Sequence, residues 1–366
     1  MLGLCAALAG CAASGDALPL GSRAEDCATC HVAQYSEWSE SRHAASATSP
    51  LFEALLPRVA EAWGPVARDR CVSCHAPGHG GDEAIGCVSC HAAVGNRGEQ
   101  NAALVVDLDA PLVGPFSDAD PTAAHGTTTR TLLRSAVLCG TCHEVRGPGL
   151  LDEPTLSEHR GSPQAESGTS CVDCHMRALD AEPVALGATR ARPRREHRFV
   201  GVDPAWGGSA EDAARAEVDA RELLASALTI SIRRVDAAHA EVLLQNVGAG
   251  HDLPTGAAFL RDIWVDVDVI DARGRAFELP RVIELGTRML RDDHEVALVT
   301  DADRLEPRGI APGASRAAVL EIPADATLPV RVEAAVRARA VRADTLQALS
   351  LPSLPVLEVA AAQSAL

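Results

Sequence analysis

One pentapeptide recurs five times in this 366-residue chain: Cys27-Ala28-Thr29-Cys30-His31, Cys71-Val72-Ser73-Cys74-His75, Cys87-Val88-Ser89-Cys90-His91, Cys139-Gly140-Thr141-Cys142-His143 and Cys171-Val172-Asp173-Cys174-His175. The copies take ten of the twelve cysteines, whereas a random chain of this composition holds about 0.014 such motifs. Cys-x-x-Cys-His is the pattern of covalent c-type haem attachment. Both thiols add across the porphyrin vinyl groups, the spacing lets one turn of chain reach both, and the adjacent His becomes the proximal axial ligand of iron. Paired Cys-x-x-Cys knuckles also build zinc sites, and dithiols build redox pairs. An odd number of pairs, each followed by His, fits neither. The sequence therefore predicts five haem c groups, with those ten cysteines as attachment points and His31, His75, His91, His143 and His175 as proximal ligands.

Such a cofactor also answers a shortage. The chain has five Phe, four Trp, one Tyr and no lysine, so large apolar bodies for a core must come from elsewhere. Acids outnumber bases 50 to 33 for a net charge of −17, which argues against nucleic acid as a partner. No apolar run after the first ten residues approaches the length of a membrane-spanning helix.

Haem c is attached outside the cytoplasm, so the chain is expected to be exported. Residues 1–10 are short, apolar and uncharged, and Leu8-Ala9-Gly10-Cys11 resembles a bacterial lipobox, which marks Cys11 for lipidation. The first charged residue is Asp16, where a signal peptide ordinarily opens with positive charge, and a plain cleavable signal with small residues near Ala9 or Ala13 is the alternative. A lipid would tether the protein to a membrane surface without spanning it. Cys5 and Cys11 are not haem ligands in either reading.

The length suits about two domains. The expected division is a signal or lipoprotein tether over 1–20, a pentahaem domain over 21–200, a helical connector over 201–227, a β-sandwich-like domain over 228–345 and a tail over 346–366. The first domain reads as mainly helix and loop around a haem-filled core, with helical stretches at Ser49–Ala62 and Thr129–Val137. Its second and third motifs begin only 16 residues apart, which makes their haems neighbours. Ser209-Ala210-Glu211-Asp212 forms a capping-box pattern ahead of an Ala-rich helix running to about Ala227. From Leu228 the hydrophobic period changes to two. Thr229–Val235, Ala240–Gln245, Ile263–Ile270, Ala317–Ile322 and Val330–Val341 read as strands, with a hairpin turn at Asp271-Ala272-Arg273-Gly274.

The second axial position of each iron separates a carrier from a catalyst. Methionine is scarce, and Met176 directly follows a proximal His and cannot turn back to that same iron. Histidine is plentiful. His43, at the end of a helix-like stretch from Gln34, His125, His197, His251 and His79 are the candidate distal ligands. His251 lies in a turn between two predicted strands, and a turn histidine with only local hydrogen bonds is the alternative there. His159 is a weaker candidate, and His239 and His294 read as ordinary strand or loop residues. Arg190, Arg192, Arg194, Arg195 and Arg198 concentrate positive charge in an acidic chain, as propionate partners, a docking patch or a solvated loop.

The first motif followed by Gln34-Tyr35-x-Glu37-Trp38-x-x-Ser41-x-His43-Ala44 resembles the multihaem cytochromes c related to the tetrahaem cytochrome of ammonia oxidisers. The segments around Cys139–Val145, Cys171–Met176, His197-Arg198-Phe199-x-Gly201 and Gly250-His251-x-x-Pro254-Thr255-Gly256 are similar to the same group. Ser157-Glu158-His159 departs from it, echoing Ser36-Glu37-Trp38 with His in place of Trp. The resemblance implies periplasmic or surface electron transfer through closely packed haems. Enzymes among the relatives use a Lys axial ligand or a Tyr cross-link. This chain has no lysine, and its one tyrosine, Tyr35, has nothing around it that marks a catalyst.

The reading that follows is an exported pentahaem electron carrier, periplasmic or tethered to the outer membrane, with mostly bis-His haems and unidentified redox protein partners. A multihaem oxidoreductase with one five-coordinate haem, acting on a small nitrogen or sulfur compound, is the first alternative. A subunit of a haem-wire assembly is the second. No catalytic residue is assigned.

Overall fold

The computed structural model describes residues 22–79, 84–119, 122, 124–203 and 209–366. Cys5 and Cys11 lie outside the described residues. The chain divides into two compact units. One takes in the described residues of Met1–Pro57, Pro65–His143 and Ser170–Val200; the other comprises Arg58–Gly64, Glu144–Thr169 and Gly201–Leu366. This division is not linear at residue 200, because Glu144–Thr169 groups with the C-terminal half. No helix among the described residues is long and apolar enough to cross a membrane.

The first unit is built from short helices and small two-stranded sheets. All five pentapeptides fall on or beside helical turns. Cys71–His75 ends the helix Pro65–His75, and Cys139–His143 ends Ala136–His143. Cys87–His91 and Cys171–His175 are helices by themselves. The first motif starts in Ala24–Ala28 and finishes at His31, which precedes the helix Val32–Ser39. A five-residue helix fixes several dihedrals for one or two hydrogen bonds and does not persist alone. Here Ser170 and Asp173 cap the last of them reciprocally, Asp173 Oδ2 accepting from Ser170 N at 2.8 Å.

The second unit follows strand chemistry. One antiparallel sheet runs in the order Ser315–Glu321, His239–Asn246, Leu228–Arg234. The other runs Ala276–Leu285, Asp262–Ile270, Arg331–Arg339, Leu357–Ala365. In His239–Asn246 every second residue is buried (Ala240, Val242, Leu244, Asn246), because successive side chains leave opposite faces. Arg331–Arg339 alternates the same way through Val332, Ala334, Val336 and Ala338. Register pairs Val265 with Val336, Val267 with Ala334 and Val269 with Val332, which sets apolar side chains opposite one another across the sheet. Both sheets contribute to one buried cluster. The helix Ala210–Ala227 also joins it, through Ala220, Leu224 and Ala227. Its start is the capping box of Ser209 and Asp212, Ser209 Oγ accepting from Asp212 N at 3.1 Å.

Two strands differ from what the sequence implies. Residues 357–365, part of the stretch read as a tail, pair with Arg331–Arg339 as the edge of the four-stranded sheet. Ala276–Leu285, not predicted, forms the opposite edge. Its Pro280 has no amide to give a ladder, which is tolerated at an edge. A register shift bulges the strand there, Arg281 takes a φ of 52°, and its amide donates to Asp266 Oδ1 at 2.9 Å.

Candidate haem-attachment site

A helical turn puts residues i and i+3 on one face, so each Cys-x-x-Cys presents both sulfurs on the same side with the His close behind. None of the ten motif cysteines is in a disulfide. Among the described residues, no group of three or more His, Cys, Asp or Glu is placed to hold a bare metal ion. Thiols of different motifs instead lie together, Cys139 against Cys171 and Cys142 against Cys74. The second, fourth and fifth attachment turns therefore converge. Burial pushes the Cys90 thiol up to about 11, with Cys142 adding to it.

Three of the motif imidazoles are held from behind. Backbone carbonyls of Val184, Val113 and Val200 accept from Nδ1 of His31, His91 and His175 at 2.8, 2.7 and 2.6 Å. A carbonyl only accepts, so the proton sits on Nδ1 and the Nε2 lone pair faces outward. That is the state a metal-ligating imidazole needs, with its ring fixed by a partner behind it. The ring of Phe52 lies flat on His75, centroids 4.5 Å apart and planes 11° apart. No motif or periodicity in the sequence marks that contact.

Three candidate distal histidines stand opposite a motif histidine. Ring centroids are 6.3 Å apart for His31 and His125, 6.3 Å for His91 and His197, and 6.4 Å for His43 and His143. With metal–imidazole bonds of about 2.0 Å on both sides and a ring radius added at each end, trans imidazoles on one metal have centroids about 6 Å apart. The observed separations match that spacing. Gly126 O and Arg195 O take the Nδ1 protons of His125 and His197, at 3.2 and 2.9 Å. Burial, followed by the nearby His143, His75 and His175, lowers His43 to about 3. Burial, followed by His91, lowers His197 to about 4. Both rings are thus neutral at ordinary pH, with a lone pair to give. Haem fits these residues: sulfur pairs on helical turns, oriented proximal rings and facing distal rings.

The remaining candidates stand differently. His79 Nδ1 lies 3.3 Å from Ser89 Oγ, and among the described residues its ring stacks on no motif histidine. His251 belongs to the β-rich unit, where Asp252 O accepts from its Nδ1 at 2.8 Å. Buried Asn246 holds that turn, donating through Nδ2 to His251 O and Ile310 O at 2.9 and 3.0 Å and accepting from Ala249 N at 3.1 Å. Segment 155–164 clamps it from outside: Glu158 Oε2 accepts from Asp252 N at 3.1 Å, His159 Nδ1 donates to Gly250 O at 3.2 Å, and Gln164 Nε2 donates to Gly248 O at 3.2 Å. His159, in the echoed Ser-Glu-x segment, is buried as part of this clamp. His239 pairs locally with Asp236, and His294 lies exposed in a short hairpin.

The arginine run is neutralised within the chain. Arg190 and Arg192 reach Asp118, Arg194 reaches Glu37 and Glu182, Arg195 reaches Asp173, and Arg198 reaches Glu196. Its role is internal bracing. Burial works against the Glu37 charge, but hydrogen bonds from Arg194 and from the His197 amide, at 2.9 Å, hold its carboxyl below the usual range.

Residues 26–92 match the family model for cytochrome c554 and c-prime. The fold is similar to the crystal structure of a penta-heme cytochrome c552 from Thermochromatium tepidum, with a TM-score of 0.68 at 17% identity, over 95% of this chain and 100% of that one. The ApaA protein from Bordetella pertussis aligns over 37% of this chain and 90% of that one, at 12% identity and a TM-score of 0.19. No protein of curated function matches. The family match covers the first three pentapeptides, and the likeness to the penta-heme cytochrome shows a shared fold.

Proposed function

We propose that the chain is an exported pentahaem c-type cytochrome that carries electrons by outer-sphere transfer, with its irons held mostly between two histidines. The observation that carries this reading is the set of three facing imidazole pairs at 6.3–6.4 Å, each joining a motif histidine to one far away in sequence. When bound, haem iron supplies a reversible one-electron change between ferric and ferrous. The protein's part is to hold ring planes still. Nδ1–H bonds to backbone carbonyls pin His31, His91, His175 and His197, so charge can change with little movement of ligands.

The count of five rests on the five pentapeptides, each with a proximal histidine and two attachment cysteines. We place His43, His125 and His197 as distal ligands opposite His143, His31 and His91, keep His251 as a ligand presented by a braced turn, and keep His79 as a further candidate. The two antiparallel sheets are read as a sandwich on the strength of their shared buried cluster. Relation to the tetrahaem cytochrome of ammonia oxidisers, a lipid on Cys11 and a periplasmic or outer-membrane site belong to the same proposal, as do redox protein partners that meet the net acidic chain through basic patches.

Low-temperature EPR of the oxidised protein, with total haem quantified, tests it. Low-spin signals accounting for every haem are expected, and a substantial high-spin signal points instead to an open iron and an oxidoreductase. His43→Ala should convert one haem to high spin without removing it. A spectrum that stays wholly low-spin overturns the assignment of His43.

A further inference from the structure

Four consecutive residues, His197 to Val200, touch three different motif sites. His197 faces the His91 ring at 6.3 Å. Phe199 packs on His43 with centroids 4.5 Å apart, and meets His197 edge-on at 5.9 Å and 85°. Val200 closes a two-way link with His175: its carbonyl accepts from Nδ1 at 2.6 Å, and its amide donates to the His175 carbonyl at 3.0 Å. Both ends of the segment are tied down. Glu37 accepts from the His197 amide, and the Glu196 amide donates to Arg177 O at 2.9 Å.

Phe199 has a φ of 51°, the left-handed region that a bulky side chain avoids. A non-glycine residue is kept there only where its surroundings over-determine it, and such positions cluster at functional sites. What the strained backbone achieves is the placement of one flat ring between two imidazoles that face different motif histidines. The planes of His43 and His143 differ by 49°, those of His91 and His197 by 23°. The angle between axial imidazole planes governs how the iron d orbitals split.

We propose that Phe199 is a positioning residue that sets the imidazole planes at two haem sites at once, those of the third and fourth motifs. It rests on the bis-His reading above. Through the same segment, the Val200 carbonyl fixes the proximal ring of the fifth motif, so one short strap couples the electronic states of three sites. Phe199 touches ligands and not iron; removing it should change the character of two haems without detaching either.

The test is low-temperature EPR with a spectroelectrochemical titration of the full haem-loaded protein, on Phe199→Gly and Phe199→Leu. Glycine suits the positive φ and deletes the ring with the least backbone cost. His43→Ala and His197→Ala identify the two signals, each variant losing its own. In Phe199→Gly both low-spin signals should shift and both midpoint potentials move, while the His31/His125 signal stays superimposable. Phe199→Leu, which keeps bulk but not the flat face, should shift the same two by less, and it decides the matter if the glycine variant loses haem. Neither signal shifting, only one shifting, or a change at the His31/His125 site overturns the proposal. A wild type whose haems are not low-spin is a different failure, that of the bis-His reading itself.

Discussion

The β-rich unit buries Val242, Leu244, Val265, Val267, Val332 and Val336 at 1% exposure or less, within one contiguous cluster. The motif-bearing unit, among its described residues, has eight buried apolar side chains, and four of those are alanine: Ala24, Ala67, Ala92 and Ala93 beside Leu51, Val88, Val113 and Leu138. A fully buried Val or Leu contributes about 1.5–3 kcal/mol and an Ala far less, so the second list cannot hold five short helices together by itself. The difference teaches where the missing apolar volume comes from. In one unit the side chains are the core; in the other, on the proposed reading, they would be the wall around covalently attached rings.

The comparison breaks most visibly if haem is withheld. In full-length chain made without haem attachment, hydrogen exchange should find the strands between 228 and 365 protected near the global stability, and the motif helices exchanging by orders of magnitude faster. Equal protection in both halves would mean that the first unit has a side-chain core after all. A smaller effect is expected from Leu244→Ala, which opens a cavity in the β-rich core. It should cost about 3 kcal/mol in denaturant unfolding of that unit, with the haem absorbance bands unchanged. A loss below about 1 kcal/mol would show that the two sheets are not held by that cluster.

The smallest effect separates two buried carboxylates by sign. Burial first, with Asp152 adding and Arg261 opposing, pushes Glu153 up to about 7 from 4.5. Its folded form prefers the proton, so the stability it gives is present below pH 4.5 and lost as pH rises through about 7. Glu37, held low by Arg194 and the His197 amide against the cost of burial, runs the other way: its contribution is present above pH 4.5 and lost as pH falls. Melting temperatures of wild type, Glu153→Gln and Glu37→Gln from pH 4 to 8 should show the first variant flattening the alkaline side and the second the acid side. Parallel curves for all three would remove both assignments.

Legibility in the sequence followed the range of the interactions. The alternation that marks His239–Asn246 and Arg331–Arg339 is local, as is the capping box at Ser209, and both are visible in a few residues. The edge strand Ala276–Leu285 is hidden by Pro280 and its charges, which an edge tolerates and a central strand does not. Leu357–Ala365 is nearly all Ala and polar residues, so only its partner Arg331–Arg339 makes it a strand. The arginine run looks like an available basic patch until Asp118, Glu37, Glu182, Asp173 and Glu196 are found against it. The echo of Ser36-Glu37 in Ser157-Glu158 gains a meaning only in space. Each glutamate accepts a backbone amide from a segment bearing a candidate ligand, Glu37 that of His197 and Glu158 that of Asp252.

By itself the sequence carried the proposed chemistry of attachment, since two thiols and an imidazole within one helical turn are the pattern of covalent haem. It also determined that a β-rich region follows, because strand periodicity is written residue by residue. Which candidate ring lies near which motif histidine was decided by the tertiary structure alone. His43 lies 100 positions before His143, and His197 lies 106 after His91. Pairing over such separations depends on how loops close and pack, and no local pattern carries that information.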